Sequence, residues 1–158
     1  MVYRVQRARP EDAAALTRLH AQAMPQGWTE ADFAASCLDD CRIVLGAWSG
    51  SGLAGLIVLQ TASDEGEILA LAVEAEERRQ GVASHLLKAA IELCQERRIA
   101  SLYLEVAESN APALRLYEKT GFKTAGRRAG YYRLARPAPE SALIMRLDTG
   151  PALKQIER

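Results

Sequence analysis

Two groups of residues in this chain have types and spacings suited to chemistry. The first is Arg78-Arg79-Gln80-Gly81-Val82-Ala83. It lies between an apolar run ending at Val73 and a stretch whose apolar positions 83, 86, 87, 90, 91 and 94 share one helical face. A strand, a turn with one glycine among arginines, and a helix opening from that turn suit an anionic phosphate. The first N–H groups of the helix lack internal acceptors and sit at the positive end of its dipole. Gly81 lets the backbone approach a ligand closely, and Ala83 adds little bulk. The stretch from Glu67 to Cys94 is therefore expected to hold a pyrophosphate, and by itself does not say which cofactor carries it.

The second group is Glu105, Asn110 and Tyr117. Alternation along Ser101 to Val106 puts Leu102, Leu104 and Val106 on one strand face and Tyr103 and Glu105 on the other. Glu105 thus falls near the carboxyl end of the strand after the phosphate turn, where open α/β sheets bind ligands. Asn110, Leu114 and Tyr117 follow at spacings of four and three and share a helical face. A carboxylate, an amide and a phenol are brought together from neighbouring elements. Each also has a plainer reading, as a solvated strand-end glutamate, a helix cap and a core tyrosine.

The elements that must position these groups can be read along the chain. Tyr3 to Ala8 is a strand, and Pro10 opens a helix to about Met24 with Glu11 and Asp12 in its first turn. After the loop Pro25-Gln26-Gly27-Trp28, Thr29 and Asp32 form a capping signal for a short helix to about Leu38. Arg42 to Trp48 and Leu53 to Gln60 are antiparallel strands joined at Ser49-Gly50-Ser51-Gly52. The central strand follows Asp64-Glu65-Gly66, and its helix runs to about Arg98. Beyond the Glu105 strand, Asn110 to Lys119 is a helix stopped by Gly121. Phe122 to Gly126 and Ser141 to Leu147 are closing strands, separated by the Tyr- and Arg-rich segment 127–136, and the tail from Asp148 is expected to fray. The order predicts a mixed α/β fold with antiparallel strands first and a strand–helix–strand crossover in the middle, as one domain over residues 1–148 with a flexible tail over 149–158.

Bulk properties narrow the function classes. The chain of 158 residues is 49% hydrophobic and 25% charged, with 20 basic and 20 acidic residues. That balance argues against nucleic-acid binding driven by net charge, leaving Arg127-Arg128 as a local basic patch. No apolar run approaches the roughly 20 residues of a membrane span, and the N-terminal residues have no signal-peptide apolar core. Cys37, Cys41 and Cys94 lack the paired spacings of a zinc site, so no metal is expected. A reduced, cytoplasmic protein is the plain expectation.

The turn R-x-x-G-x-A at Arg78 to Ala83, with L-E-V…S-N-A-P-A-L-R-L-Y-E-K-T-G-F from Leu104 to Phe122, resembles the GCN5-related N-acetyltransferase (GNAT) superfamily over roughly residues 2–147. Either motif alone is weak, and together they are specific. The resemblance implies a mostly antiparallel twisted sheet, with a parallel strand pair at the cofactor cleft and about four flanking helices. It implies acetyl-coenzyme A as cosubstrate. Backbone groups of Leu71, Ala72 and Val73 would contact the acyl-pantetheine arm. Amides across Arg78, Arg79, Gln80, Gly81, Val82, Ala83 and Ser84 would hold the pyrophosphate, with Asn110 approaching the pantetheine and Tyr117 the sulfur. Ala83 replaces the second glycine of the common turn.

Within the superfamily the chain is most similar to the RimI-like ribosomal-protein alanine N-acetyltransferases. The matches are P-x-x-W-[ST]-E near Trp28, the acidic D-E before the central strand, L-E-V, the S-N-x-x-A-x-x-L-Y-E segment, and R-R-x-x-Y-Y from Arg127 to Tyr132. Two departures stand out. The Pro25–Trp28 loop is longer than the usual proline–tryptophan form, and Ala70 stands where such relatives often carry asparagine. The resemblance implies transfer of acetyl to a protein N-terminal α-amine, with Trp28, Tyr131 and Tyr132 lining a peptide groove; loop packing is the alternative reading of these three residues. The partner would be an N-terminal peptide, as of a ribosomal protein, with no nucleic acid or membrane, and the enzyme a monomer or weak dimer.

The residue types suit that chemistry. An α-amine with a reference pKa of roughly 8 is largely protonated at neutral pH and cannot attack until a proton leaves. Glu105, directly or through a water, is the acceptor for that proton, and Tyr117 is the acid for a departing thiolate. An amide near Leu71 to Val73 would polarise the thioester carbonyl. Cys94 lies on the apolar helix face, so direct attack in a ternary complex is expected rather than an acetyl-cysteine. His85 reads as a surface residue or a cofactor contact, and Glu67 as a solvated strand end or a second carboxylate. Two other functions compete: acetylation of a small amine or lysine side chain, and a non-catalytic acyl-coenzyme A binding module.

Overall fold

The computed structural model describes residues 2–24, 27–129 and 140–150. Seven strands form one sheet in the order β1-β2-β3-β4-β5-β7-β6: β1 (Arg4–Arg7), β2 (Arg42–Ser49), β3 (Gly52–Ala62), β4 (Glu65–Val73), β5 (Ser101–Ala107), β6 (Lys123–Arg128) and β7 (Ala142–Asp148). The pairings β1·β2, β2·β3, β5·β7 and β6·β7 are antiparallel, and β4·β5 is parallel. Among the described residues four α-helices accompany them: α1 (Ala13–Ala23), α2 (Glu30–Leu38), α3 (Val82–Glu96) and α4 (Ala111–Thr120). This is the mixed architecture expected from the sequence.

Two compact units divide the chain. The first comprises Met1–Ala62 and Ile68–Leu93. Its β2–β3 hairpin runs in register from Arg42↔Gln60 to Ala47↔Gly55, then shifts by a bulge between Ala47 and Trp48. Both faces of β3 are covered, since every residue from Ala54 to Leu59 is buried. Even-numbered Val44, Leu56 and Val58 join Leu16, Leu19 and Phe33 of α1 and α2 in one apolar core. Strand alternation sends the odd-numbered residues of β3 to the opposite face. The capping signal before α2 is realised: the Asp32 N–H donates to Thr29 Oγ1 at 3.1 Å, and the Thr29 N–H donates to the Asp32 carboxylate at 2.8 Å.

The second unit comprises Ser63–Glu67 and Cys94–Arg158. Here β5 pairs with the start of β4 over Glu65↔Ser101, Gly66↔Leu102 and Glu67↔Tyr103, and with β7 from Ser101↔Asp148 to Ala107↔Ala142. Leu102, Leu104 and Val106 are buried while Tyr103 and Glu105 are half-buried, as the alternation predicts.

Several boundaries differ from expectation. The first helix begins as a 3-10 turn at Pro10–Asp12, with the proline in the first turn, where no N–H is needed for the helical ladder. Helix α3 stops at Glu96, where Arg98 turns left-handed (φ 59°) and the Ile99 N–H returns to the Cys94 carbonyl at 2.8 Å. Strand β6 continues past Gly126 through Arg127 and Arg128, which pair with Leu143 and Ala142 of β7. Thr149, assigned on sequence to the frayed tail, is buried; its N–H donates to the Ala100 carbonyl at 2.9 Å and its hydroxyl to the Ile99 carbonyl. Among the described residues no helix is long and apolar enough to cross a membrane.

Phe33 is fully buried, and its ring lies 5.5 Å from His20 and 5.3 Å from Trp28 between centroids. Phe33→Ala is expected to destabilise the fold by about 3–5 kcal/mol, read as a lower urea midpoint by circular dichroism.

Candidate active site

In the first unit, the turn between β4 and α3 is built from both ends. The Glu74 N–H donates to the Ala54 carbonyl at 2.8 Å, and a 3-10 turn at Ala75–Glu77 follows. The Tyr3 hydroxyl donates to the Glu77 carboxylate at 2.6 Å, which ties the turn to the residue preceding β1 and pushes the Tyr3 phenol's pKa up. The chain then reverses through two left-handed residues, Arg79 (φ 63°) and Gly81 (φ 82°), before α3 opens at Val82. A Cβ at residue 81 would meet nothing closer than the His85 ring at 3.7 Å. Its positive φ, rather than crowding by the protein, is therefore what calls for glycine.

Arg78, Arg79, Gln80, Gly81 and Ser84 are exposed, Ala83 is half-buried and Val82 is buried. Helix geometry leaves the N–H groups of Val82, Ala83 and Ser84 without intrahelical acceptors. A fifteen-residue helix opening at an exposed turn has the positive dipole end and orphan N–H groups that suit phosphate oxygens, so the residues present fit a pyrophosphate. His85 is exposed, and its Nδ1 lies 2.7 Å from the Gly81 carbonyl oxygen. The carbonyl can only accept, so Nδ1 carries the hydrogen and the ring braces the turn from inside the helix. Along β4, Leu71 and Val73 are half-buried on the face opposite buried Ala72.

A residue that sequence reasoning missed determines how α3 seats. A Cβ at Gly55 would lie 2.7 Å from Val82 Cγ1, 3.0 Å from Leu86 Cδ1 and 3.1 Å from the Ala72 carbonyl oxygen. The first turn of α3 thus packs directly on the backbone of β3. The signal available was a glycine inside a strong strand pattern, which marks a close approach.

In the second unit, Glu105 is half-buried on β5 and its Oε1 lies 3.2 Å from Arg128 Nη2. Arg127 makes two bonds of 3.1 Å to the Glu108 carboxylate, which hold the Glu108 carboxyl below its ordinary pKa. The arginines read as a basic patch therefore both carry carboxylate partners. Asn110 caps α4, its Oδ1 accepting from the Ala113 N–H at 3.3 Å, and left-handed Gly121 (φ 113°) ends the helix. Tyr117 is buried, with its ring edge-on to Phe122 at 5.7 Å. Burial pushes its phenol up to about 12, so it keeps its proton throughout the neutral range. Glu105, Asn110 and Tyr117 thus come from consecutive elements of one unit.

Trp28 packs within the first unit. It stacks on His20 at 5.1 Å, its main-chain N–H donates to His20 Nδ1 at 3.4 Å, and the Arg42 guanidinium lies 5.4 Å over its ring. Tyr131 and Tyr132 lie outside the described residues. Glu67 is exposed at the paired end of β4. Cys94 is buried, and its thiol is pushed up to about 11, which makes it a poor nucleophile at neutral pH. Among the described residues no three His, Cys, Asp or Glu side chains gather as metal ligands.

Residues 13–122 match the family model described as "Acetyltransferase (GNAT) family". The chain belongs to that family. Among relatives, the [ribosomal protein bS18]-alanine N-acetyltransferase of Escherichia coli K12 is 38% identical over 95 residues, 60% of this chain and 64% of the relative. That aligned stretch falls short of two thirds of the relative's length. A putative [ribosomal protein bS18]-alanine N-acetyltransferase of Bacillus subtilis is 32% identical over 142 residues, 89% of this chain and 92% of the relative. The crystal structure of the ribosomal-protein-S18-alanine N-acetyltransferase from Escherichia coli superposes with a TM-score of 0.86 at 29% identity, covering 94% of this chain and 95% of that one.

Two predictions follow from this geometry. Gly55→Ala overpacks the seat of α3 by about 1–3 kcal/mol, and is expected to weaken coenzyme A binding by about tenfold in calorimetric titration. For Tyr117, the folded-state pKa is raised from 10.0 to about 12. The unfolded chain releases this proton near pH 10 while the folded chain retains it, so the contribution is complete below that pH and is lost as pH rises toward about 12. Tyr117→Phe is expected to flatten this alkaline decline, measured by urea denaturation at about pH 9 and about pH 11.

Proposed function

We propose that this protein transfers acetyl from acetyl-coenzyme A to the α-amine at a protein N-terminus, with an N-terminal alanine of a ribosomal protein as the first acceptor to test. The observation that carries the reading is an accessible carboxylate, Glu105, and a firmly protonated phenol, Tyr117, delivered by successive elements in a chain of the acetyltransferase family. The named activity of the relatives in Escherichia coli and Bacillus subtilis supports the choice of acceptor.

Acetyl-coenzyme A supplies the acetyl group as a thioester. Backbone N–H groups from Gln80 to Ser84 hold its pyrophosphate, and main-chain groups of Leu71 to Val73 hold the acyl arm. Glu105 attracts the acceptor's ammonium group and takes one proton, directly or through a water, leaving the amine neutral for attack. A full proton transfer from Tyr117 is uphill, since its pKa of about 12 exceeds the thiol reference of roughly 8.5. Its Oη therefore serves best as a hydrogen-bond donor toward charge developing on sulfur as the C–S bond breaks; the proton shed by the attacking nitrogen as the amide forms goes to the departing thiolate, which leaves as the thiol. Asn110, with its oxygen engaged by Ala113, offers its amide N–H groups to the pantetheine.

Glu105→Gln is expected to lower kcat/KM by about 10²–10⁴-fold while coenzyme A binding is unchanged. The acceptor is checked by mass spectrometry after incubating the protein with acetyl-coenzyme A and peptides beginning in alanine. Acetylation confined to free small amines or lysine side chains would overturn the N-terminal assignment. Bound cofactor with no transfer to any amine would mark a binding module instead.

A further inference from the structure

We propose that Arg128 is a positioning residue for Glu105, holding one carboxylate oxygen so that the other receives the acceptor's proton. The inference rests on the reading of Glu105 as the base. It is carried by the placement of the two side chains on the sheet. Glu105 pairs with Ile144 of β7, and Ile144 pairs with Gly126 of β6; two rows on, past Val106, Leu143 and Arg127, stand Ala107, Ala142 and Arg128. Residues two apart on a strand share a face, so Glu105 and Arg128 project from the same side. They stand on strands separated by β7, about 9.5 Å apart. The long side chains of both residues bridge this distance, and Arg128 Nη2 reaches Glu105 Oε1 at 3.2 Å. On this face Ala107, Ala142 and Gly126 are small, while the Ile144 side chain stands between Glu105 and Gly126.

The other arginine strengthens the placement. Arg127 is bound through Nε and Nη2 to the Glu108 carboxylate, just past the end of β5. This fork ties the end of β6, across β7, to the residue just past β5, with Arg128 as the next residue. The pair itself is a poor stabilising device. The Arg128 side chain is 54% exposed and that of Glu105 21%, and exposed ion pairs contribute little to folding. Its consequence lies in orientation. A carboxylate free to rotate presents its oxygens in many directions, whereas one held at Oε1 presents Oε2 in a restricted set. Proton transfer is steep in that geometry.

The test compares the wild type with Glu105→Gln, Arg128→Gln and the double variant, in single-turnover acetylation of an alanine-initiated peptide with enzyme in excess. Arg128→Gln is expected to lower the transfer rate by about tenfold or more, with coenzyme A affinity and thermal midpoint unchanged. Arg128→Lys, which keeps the charge, is expected to recover much of the rate. In the Glu105→Gln background, removal of Arg128 is expected to have no further effect, because its action runs through the carboxylate. Should Arg128→Gln fail to fold, Arg128→Met keeps the apolar stem and serves in the same cycle. A wild-type rate for the Arg128 variant, or losses that multiply in the double variant, overturns the inference while leaving Glu105 as the base. A wild-type rate for Glu105→Gln overturns the base assignment itself.

Discussion

The absence of a side chain at residue 55 sets where α3 begins. Val82 and Leu86 occupy the space that a Cβ on Gly55 would take, and the Ala72 carbonyl stands at 3.1 Å from the same point. Because the first turn of the helix lies against bare backbone of β3, the chain leaving Val73 has only eight residues, 74–81, in which to turn. It uses a 3-10 turn and two left-handed residues, Arg79 and Gly81, to do so. The N–H groups of Val82, Ala83 and Ser84, which have no intrahelical acceptors, are set at the turn by this tight seating. The glycine with the conformational demand is Gly81, and the glycine with the packing demand is Gly55, one at each side of the same contact.

The second unit works by strand alternation and by ion pairing near the surface. One face of β5 fills the core with Leu102, Leu104 and Val106, and the other carries Tyr103 and Glu105. Across β7, β6 returns two arginines to carboxylates at and after the end of β5. These contacts are too exposed to account for much stability, and their value is in fixing where charged atoms sit. Tyr117 shows the opposite economy: the burial that makes it a packing residue against Phe122 also raises its pKa and keeps its hydrogen in place. Its core reading and its chemical reading are compatible, since both follow from the same desolvation. The same holds for Asn110, which uses its oxygen as a cap and retains its amide donors.

The sequence by itself determined the element order, the family and the turn that opens α3, because each depends on local pattern. Helical periodicity from Ala83, the alternation around Glu105, the Thr29–Asp32 cap and Gly121 at the end of α4 all act within a few residues of the signal that reveals them. Only the tertiary structure decided the matters that depend on residues far apart in the chain. The seat of α3 needs Gly55 opposite Val82, the turn is tied by Tyr3 to Glu77, and Trp28 lies on His20 beneath Arg42. The Arg127-Arg128 pair read as loop and basic patch because its carboxylate partners lie about twenty residues upstream, and only the register of β5, β7 and β6 brings them alongside. Local spacing encodes the face a side chain takes; what it meets on that face is set by strand pairing, which no short window of sequence contains.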